Sequence, residues 1–316
     1  MDRKQMTSST QSVLTEHKLH AHRRYDYSAI IGRANVPWPN GKKLAVYLAI
    51  GLEEYDFGVG RTENLMDGVA APDFVNTSWR DYGNRVGAFR LLKRLERFQI
   101  PPTILLNTAV YDSAPALMAE ARRLGAELVG HGITNSDSLE GLCEEAERAY
   151  LDAVSNRIRD QEGLAPSGWS SPWLTQTGNT LDLLAERGYR YVMDLRLDDQ
   201  PVWLNTRSAP LVAMPYALEL NDSTSMIGRQ VGAAEFADMI IDEFDVLLEE
   251  AEDQPLVMSI VVHSFISGAP FRLKHFTRAL EHMAAHSDKV WFTQPREIYH
   301  AFRAQTEAPT TESRSC

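Results

Sequence analysis

Leu44-Ala45-Val46-Tyr47-Leu48-Ala49-Ile50 is almost unbroken in apolar character and runs through Gly51 and Leu52 into Glu53-Glu54. A strand with one face in water alternates apolar and polar residues. A strand covered on both faces does not, and that is the condition of a parallel sheet flanked by helices. Weaker runs of the same kind follow at Thr103-Ile104-Leu105-Leu106, Glu127-Leu128-Val129-Gly130, Tyr189-Arg190-Tyr191-Val192-Met193, Leu211-Val212-Ala213-Met214 and Leu256-Val257-Met258-Ser259-Ile260-Val261-Val262, and Val290-Trp291-Phe292 closes the series. Helical patterns lie between them. Leu139, Leu142, Ala146, Tyr150, Val154 and Ile158 recur at three- and four-residue spacing, and Asp137 followed by Glu140 resembles a capping box, so this helix is expected to begin just after the His131 loop. Phe236, Ile240, Phe244 and Leu247 repeat the pattern, and further helices are expected over 85–98, 114–124, 180–187 and 276–285. Alternation of this kind predicts parallel strands joined by right-handed crossovers, in a doubly wound sheet or a barrel. An irregular α/β barrel is the expectation here.

A chain of 316 residues with 44% hydrophobic residues has enough apolar mass for one such barrel. The sequence divides into an N-terminal arm over 1–40, a catalytic barrel over 41–303 and a flexible tail over 304–316. Residues Tyr55 to Trp79, without strong period and rich in Gly, Pro and acidic residues, read as an active-site loop or lid. A net charge of −11 and no long basic cluster argue against nucleic acid as a partner. Neither a secretion signal nor a membrane-spanning apolar stretch is present, which points to a cytoplasmic protein without membrane association. Two cysteines, Cys143 inside an expected helix and Cys316 at the terminus, provide neither a disulfide framework nor a thiolate metal site.

The ends of three apolar runs carry the chemistry. Leu52-Glu53-Glu54, His131-Gly132-Ile133-Thr134-Asn135 and Val262-His263-Ser264 each stand where a parallel strand would finish, the edge at which α/β folds bind their ligands. Singly, each has a plainer reading: a Glu pair after a strand is commonly a solvated loop start, and a lone His commonly a hydrogen-bonded structural residue. Together they bring carboxylates, imidazoles and an amide to one rim, the grouping that amide hydrolysis requires. Successive residues of a regular strand face opposite ways, so Glu53 and Glu54 can share a pocket only if the strand bends, and Gly51 offers such a bend. His17, His20, His22, His275, His282, His286 and His300 fall on the arm or on helices and read as surface residues.

From about Tyr25 to Phe302 an ordered set of segments carries a family likeness: Trp38-Pro39-Asn40-Gly41, Glu53-Glu54, Tyr82-Gly83-Asn84-Arg85-Val86-Gly87, His131-Gly132, Gly168-Trp169, Pro215-Tyr216-Ala217-Leu218-Glu219-Leu220-Asn221-Asp222, His263-Ser264-Phe265-Ile266-Ser267-Gly268 and Lys289-Val290-Trp291-Phe292. The sequence resembles the polysaccharide deacetylase superfamily, carbohydrate esterase 4-like, and within it the cytoplasmic branch of metal-independent allantoinases and cyclic imidases. The resemblance implies a deformed seven- or eight-stranded β/α barrel. In metal-dependent members the first acidic residue of a pair is the base, and the second binds a divalent metal with two histidines four residues apart. Those positions are here Glu53, Glu54, His131 and Asn135, so the implied metal ligands are Glu54, His131 and Asn135. A neutral amide is a poor zinc ligand, which leaves either no metal or a weakly held zinc or manganese.

The family's arginine-proline-tyrosine motif is replaced by Trp169 to Thr177, where Trp169 and Trp173 either wall a site for a small ring or acyl group or merely fill the barrel mouth. The implied function is hydrolysis of a non-peptide C–N bond in a small amide, cyclic imide or ureide. Glu53 takes a proton from water, and His263, from the opposite side, protonates the departing nitrogen. The Asn135 amide or backbone N–H groups serve the oxyanion, and Asn221 and Asp222 contact the substrate. A metal-dependent N-deacetylase of an amino sugar or oligosaccharide, and a non-catalytic binding protein that retains the barrel, are the alternatives. The expected partners are a small-molecule substrate and further copies of the chain, as a tetramer or dimer.

Overall fold

Nine strands form one sheet in a computed structural model that describes residues 22 to 308. Residues 1–21, with His17 and His20, and the tail from Pro309 lie outside the described residues, and so do the expectations placed on them. The strands are β1 (Leu44–Leu52), β2 (Pro102–Leu106), β3 (Glu127–Gly130), β4 (Gly168–Trp169), β5 (Tyr191–Val192), β6 (Val202–Leu204), β7 (Leu211–Ala213), β8 (Leu256–His263) and β9 (Val290–Phe292). The helices are α1 (Phe74–Tyr82), α2 (Ala88–Phe98), α3 (Val110–Ser113), α4 (Pro115–Arg123), α5 (Glu144–Glu162), α6 (Thr180–Glu186), α7 (Ala233–Glu250), α8 (Pro270–Ala284) and α9 (Pro295–Gln305).

The strand order is β6-β7-β5-β4-β3-β2-β1-β8, parallel throughout except for the antiparallel β6–β7 pair. One edge of β1 is shared: β9 pairs with Leu44–Val46 and β2 with Leu48–Leu52. Opposite, β8 pairs with the chain beyond β7 in a single parallel bridge, Asn221–Val261. The sheet therefore curls into an irregular, incompletely closed α/β barrel. Every residue of β1 and of β8 is buried, as an unbroken apolar run demands. The helical stripes pack against this wall: Phe236, Ile240, Phe244 and Leu247 are all buried on α7. Each such side chain removed from water contributes about 1.5–3 kcal/mol.

Several sequence expectations need correction. β4 and β6 were not anticipated, because two or three residues cannot display a period. The helix expected straight after the His131 loop begins only at Glu144. The Asp137 carboxylate is occupied by the Thr134 N–H and the Tyr150 hydroxyl (3.0 and 2.7 Å), so it closes a turn rather than capping a helix. Cys143 is exposed and precedes that helix. The long segment after Tyr55 is irregular only as far as Asp73, whose side chain caps α1 by accepting the Asn76 N–H. A π-helical turn, Gly83–Gly87, then leads into α2. Gln305, assigned to the tail, is the last residue of α9 and donates to the Pro37 carbonyl (3.0 Å). The chain before β1 is tied to the barrel exterior by Arg24–Asp182 and Arg33–Asp198 pairs. No helix among the described residues is long and apolar enough to cross a membrane.

Candidate active site

Strand register alone sets most of the site. Gly51 pairs with His263, Leu52 with Leu106, Leu106 with Gly130, and Gly130 with Trp169. The ladder carries on past the strand ends, with Asn107 N–H on Leu52 O, His131 N–H on Leu106 O and Ser170 N–H on Gly130 O (3.2, 3.0 and 2.9 Å). Glu53, His131, Ser170 and His263 thus reach one rim. Gly51 supports this by being small: a Cβ there would stand 2.8 Å from His263 Cδ2.

Glu53 and His263 meet directly, with Oε1 3.2 Å from Nε2. On its other side His263 Nδ1 lies 2.6 Å from Asp222 Oδ1. The Asp222 carboxylate also accepts the His263 and Ser267 N–H groups and the Ser267 hydroxyl, and it is fully buried. Burial disfavours the imidazolium, but the Glu53 and Asp222 carboxylates flanking it outweigh burial and hold the His263 pKa well above its ordinary value. Burial likewise pushes the Glu53 carboxyl up. His263 and His131 overcome that and keep it well below the usual carboxylate range. At neutral pH the pair is an imidazolium and a carboxylate in contact.

His131 completes the cluster more loosely. Its Nε2 is 3.6 Å from Glu53 Oε1, beyond hydrogen-bond reach, and its Nδ1 lies 2.7 Å from the Ser170 carbonyl. That carbonyl can only accept, so Nδ1 carries a proton toward it, and Nε2 is the nitrogen turned to Glu53. The loop supplying Ser170 is held by Asp194, whose carboxylate accepts the Ser171 N–H and hydroxyl and the Gln176 amide. Burial raises the Asp194 pKa. Asp194 was missed in the sequence although it follows β5 at the same rim, a signal of the kind that picked out His131.

A second missed residue is Tyr55. Its hydroxyl donates to Glu53 Oε2 (2.6 Å) and accepts from Asn135 Nδ2 (2.8 Å). Beyond it the chain crosses the mouth of the barrel. Asp56 N–H and Arg61 N–H bond to Ser136 on one side, and the Glu63 carboxylate accepts the Ser223 hydroxyl on the other (2.8 Å). Beneath this strap the Glu53, His131 and His263 side chains are only 3%, 6% and 10% exposed. A cavity of about 610 Å³ reaches Glu53 but neither imidazole; Glu54, Arg80, Asn84, Phe89, Ser113 and Leu117 are among its lining.

Several candidate residues take other places. Glu54 lines the same cavity as Glu53 but does not join the Glu53–His263 contact: its carboxylate accepts the Ser113 hydroxyl. The Asn135 N–H groups expected at an oxyanion are instead engaged, Nδ2 by Tyr55 and the backbone N–H by the Glu54 carbonyl (2.7 Å). Asp222 orients His263 from full burial rather than facing substrate. Asn221 bridges to Val261, and its Oδ1 accepts the Ser223 N–H at the start of the π-helical turn Ser223–Gly228, a structural duty. Trp169 is wholly buried, donates to Ser171 Oγ and packs edge-on against Tyr189, so it is core rather than wall. Trp173 stays at the rim, donating to the Asn135 carbonyl (2.7 Å). The implied metal set lacks its anionic member, because the Glu54 carboxylate is turned to Ser113, leaving the His131 imidazole and the neutral Asn135 Oδ1, a poor zinc ligand. Among the described residues no group of three His, Cys, Asp or Glu side chains is arranged to hold a metal.

No family model matches the chain. A polysaccharide deacetylase homologue of Schizosaccharomyces pombe is 25% identical over 310 residues, covering 85% of this chain and 93% of that protein. The peptidoglycan deacetylase of Helicobacter pylori is 23% identical over 244 residues, 67% of this chain and 82% of that one. Among solved structures, Puue allantoinase superposes with a TM-score of 0.76 at 26% identity, covering 89% of this chain and 98% of that chain. In its curled barrel and over most of its length the chain is thus similar to polysaccharide deacetylases and to an allantoinase.

Proposed function

We propose that this protein hydrolyses a C–N bond in a small amide, cyclic imide or ureide, with Glu53 as base and His263 as acid and with no metal in the reacting set. The coarse class is that of its relatives, hydrolases of non-peptide C–N bonds. The observation that carries the finer reading is the aligned trio Glu53, His263 and Asp222, at 3.2 and 2.6 Å, buried at the carboxyl rim. Glu53 accepts a proton from water as its oxygen attacks the carbonyl carbon. His263 gives its Nε2 proton to the departing nitrogen. The turn ends with Glu53 protonated and His263 neutral, and at contact distance one proton transfer between them restores the starting ion pair. Asp222 keeps the imidazole in register and stabilises its positive charge throughout.

Two observations favour a small substrate. The cluster lies under a strap that bonds to both sides of the barrel mouth, which suits a molecule enclosed on all sides better than a polymer lying in a groove. Asn135 Oδ1 is buried beside the cluster without a partner, an acceptor that a substrate N–H would satisfy. The likeness to an allantoinase supports a ureide. N-deacetylation of an amino sugar is the second reading, favoured by the names of the curated relatives. Chelator-treated protein assayed side by side on cyclic imides, ureides and acetylated chito-oligomers separates the two. Turnover of the small ring compounds is expected; turnover of the oligomers alone, abolished by chelation, would replace this reading with the second.

A further inference from the structure

The two oxygens of Glu53 are treated differently. Oε1 faces His263, while Oε2 is taken by the Tyr55 hydroxyl at 2.6 Å. A carboxylate can only accept, so the phenol proton points at Glu53, and the Tyr55 oxygen is free to accept the Asn135 Nδ2–H at 2.8 Å. The chain of donors therefore runs one way, from Asn135 through Tyr55 to Glu53.

Its members are held from several sides. The Asn135 peptide is clamped by Trp173 Nε1 on its carbonyl and by the Glu54 carbonyl on its N–H, both at 2.7 Å. The Tyr55 ring meets Phe265 edge-on, with centroids 6.1 Å apart, and the Arg80 guanidinium stands 4.9 Å from its centroid. Arg80 is itself buried and fixed by the Glu63 carbonyl and the Asn64 side chain (2.7 and 2.9 Å). A ring so confined cannot turn its hydroxyl elsewhere without repacking its neighbours. Burial and the adjacent Glu53 also raise the phenol pKa well above its ordinary value, so the proton stays in place.

We propose that Tyr55 is a positioning residue for Glu53, polarised by Asn135, and that this relay occupies Oε2 so that Oε1 is the oxygen presented to water and to His263. The proposal rests on Glu53 being the base. It gives Asn135 a duty unlike that of a metal ligand, and it gives Trp173, on the far side of Asn135, the duty of holding the relay's first member.

The direction of the relay makes it testable. A hydrogen bond to a charged group contributes about 1.5–3 kcal/mol, which converts to a loss of roughly ten- to a hundredfold when it is removed. Tyr55→Phe is expected to lower kcat by that factor, with KM changed by less than about threefold. Asn135→Ala removes only the polarising donor and is expected to cost less than Tyr55→Phe. Asn135→Asp is near-isosteric, yet it offers an acceptor where a donor stood and draws the phenol proton away from Glu53. It is therefore expected to be worse than Asn135→Ala, as severe as Tyr55→Phe, and not rescued by added zinc or manganese. A space-filling role for Asn135 predicts the opposite rank, with Asp milder than Ala, and a metal-ligand role predicts that Asp is tolerated or improved by metal.

A second readout needs no turnover. The Tyr55 hydroxyl proton should give a slowly exchanging low-field proton resonance in the unliganded protein, present in wild type and Asn135→Ala, absent in Tyr55→Phe, and moved upfield in Glu53→Gln. If that resonance behaves as stated but no C–N substrate is turned over, the proposed function fails and the relay stands. If turnover is found while Asn135→Asp outperforms Asn135→Ala, or Tyr55→Phe keeps wild-type kcat, the relay is overturned and the function stands.

Discussion

Glu53 at the carboxyl rim of the barrel and Glu127 at the opposite end of β3 are both buried carboxyls, 6% and 2% exposed, and burial pushes both upward. They end far apart. Glu127 faces the Tyr191 hydroxyl and the Arg296 N–H (2.9 Å), neutral donors that offset only part of the desolvation, and its pKa is pushed up to about 7. Glu53 faces two imidazoles, one held charged by Asp222, and is driven below the usual carboxylate range. A perturbed carboxyl is therefore not in itself a mark of chemistry. The mark is a partner that can give up a proton and recover it, which Glu53 has and Glu127 lacks.

The sharpest way to break this contrast is to remove the partners. Glu53→Gln and His263→Ala should each lower kcat/KM by about a thousand- to ten-thousandfold with the fold retained, and the double variant should be little worse than either, since the two act as one unit. Nearly multiplicative losses, measured alongside circular dichroism, would show that they act separately. Asp222→Asn is expected to cost somewhat less, about a hundred- to a thousandfold, because it leaves the imidazole in place but removes the charge that sustains its protonation. In wild type, with Glu53 held below 4.5 and His263 above 6.5, kcat/KM should be level between those pH values; a bell centred there would contradict the assigned charge states.

The other pole of the comparison gives smaller effects. Glu127→Gln should leave kcat/KM within about twofold, as it lies at the far end of the barrel from the reacting groups. Its effect is on stability. A carboxyl whose folded pKa is raised contributes most below its unfolded value near 4.5 and loses that contribution as pH rises through about 7. Thermal unfolding should accordingly show wild type losing stability relative to Glu127→Gln across that interval, on the order of 3 kcal/mol at most. Parallel curves would mean that Glu127 titrates in the folded state as it does in the unfolded chain. Chelation should change wild-type turnover by less than about twofold, given a donor set whose carboxylate, Glu54, is engaged by Ser113 and whose other member beside His131 is a neutral amide.

What was legible in the sequence follows the same division. β1 and β8 announce themselves by length and unbroken burial, and their ends located Glu53 and His263 correctly. Parallel order and the carboxyl-edge rule carried His131 to the same rim. Local patterns misled where a side chain had a competing partner: Asp137 carries a capping-box spacing, yet Tyr150, thirteen positions on, takes its carboxylate. Glu53 and Glu54 do share a cavity, yet only Glu53 meets His263, and Gly51 serves by admitting the His263 ring. Roles that depend on a tertiary neighbour were not readable. Asp222 looks like a substrate contact until His263 is placed against it, and Tyr55 has no pattern of its own until Asn135 is brought beside it.

The glycines of Tyr82-Gly83-Asn84-Arg85-Val86-Gly87 belong with these tertiary roles. A Cβ on Gly87 would stand 2.0 Å from the Ser264 carbonyl, so the π-helical turn packs directly on the loop that follows His263. Gly87→Ala is thus expected to disturb His263 from outside the barrel and to lower both thermal stability and kcat.

The most direct test is the initial rate of C–N cleavage of a cyclic imide and a linear ureide by chelator-treated wild type, Glu53→Gln and His263→Ala, each checked for an intact fold. Measurable turnover by wild type, falling at least about a thousandfold in both variants, is the predicted result. Undiminished cleavage by either variant, or cleavage by wild type only after a divalent metal is restored, would contradict an acid–base pair working by itself.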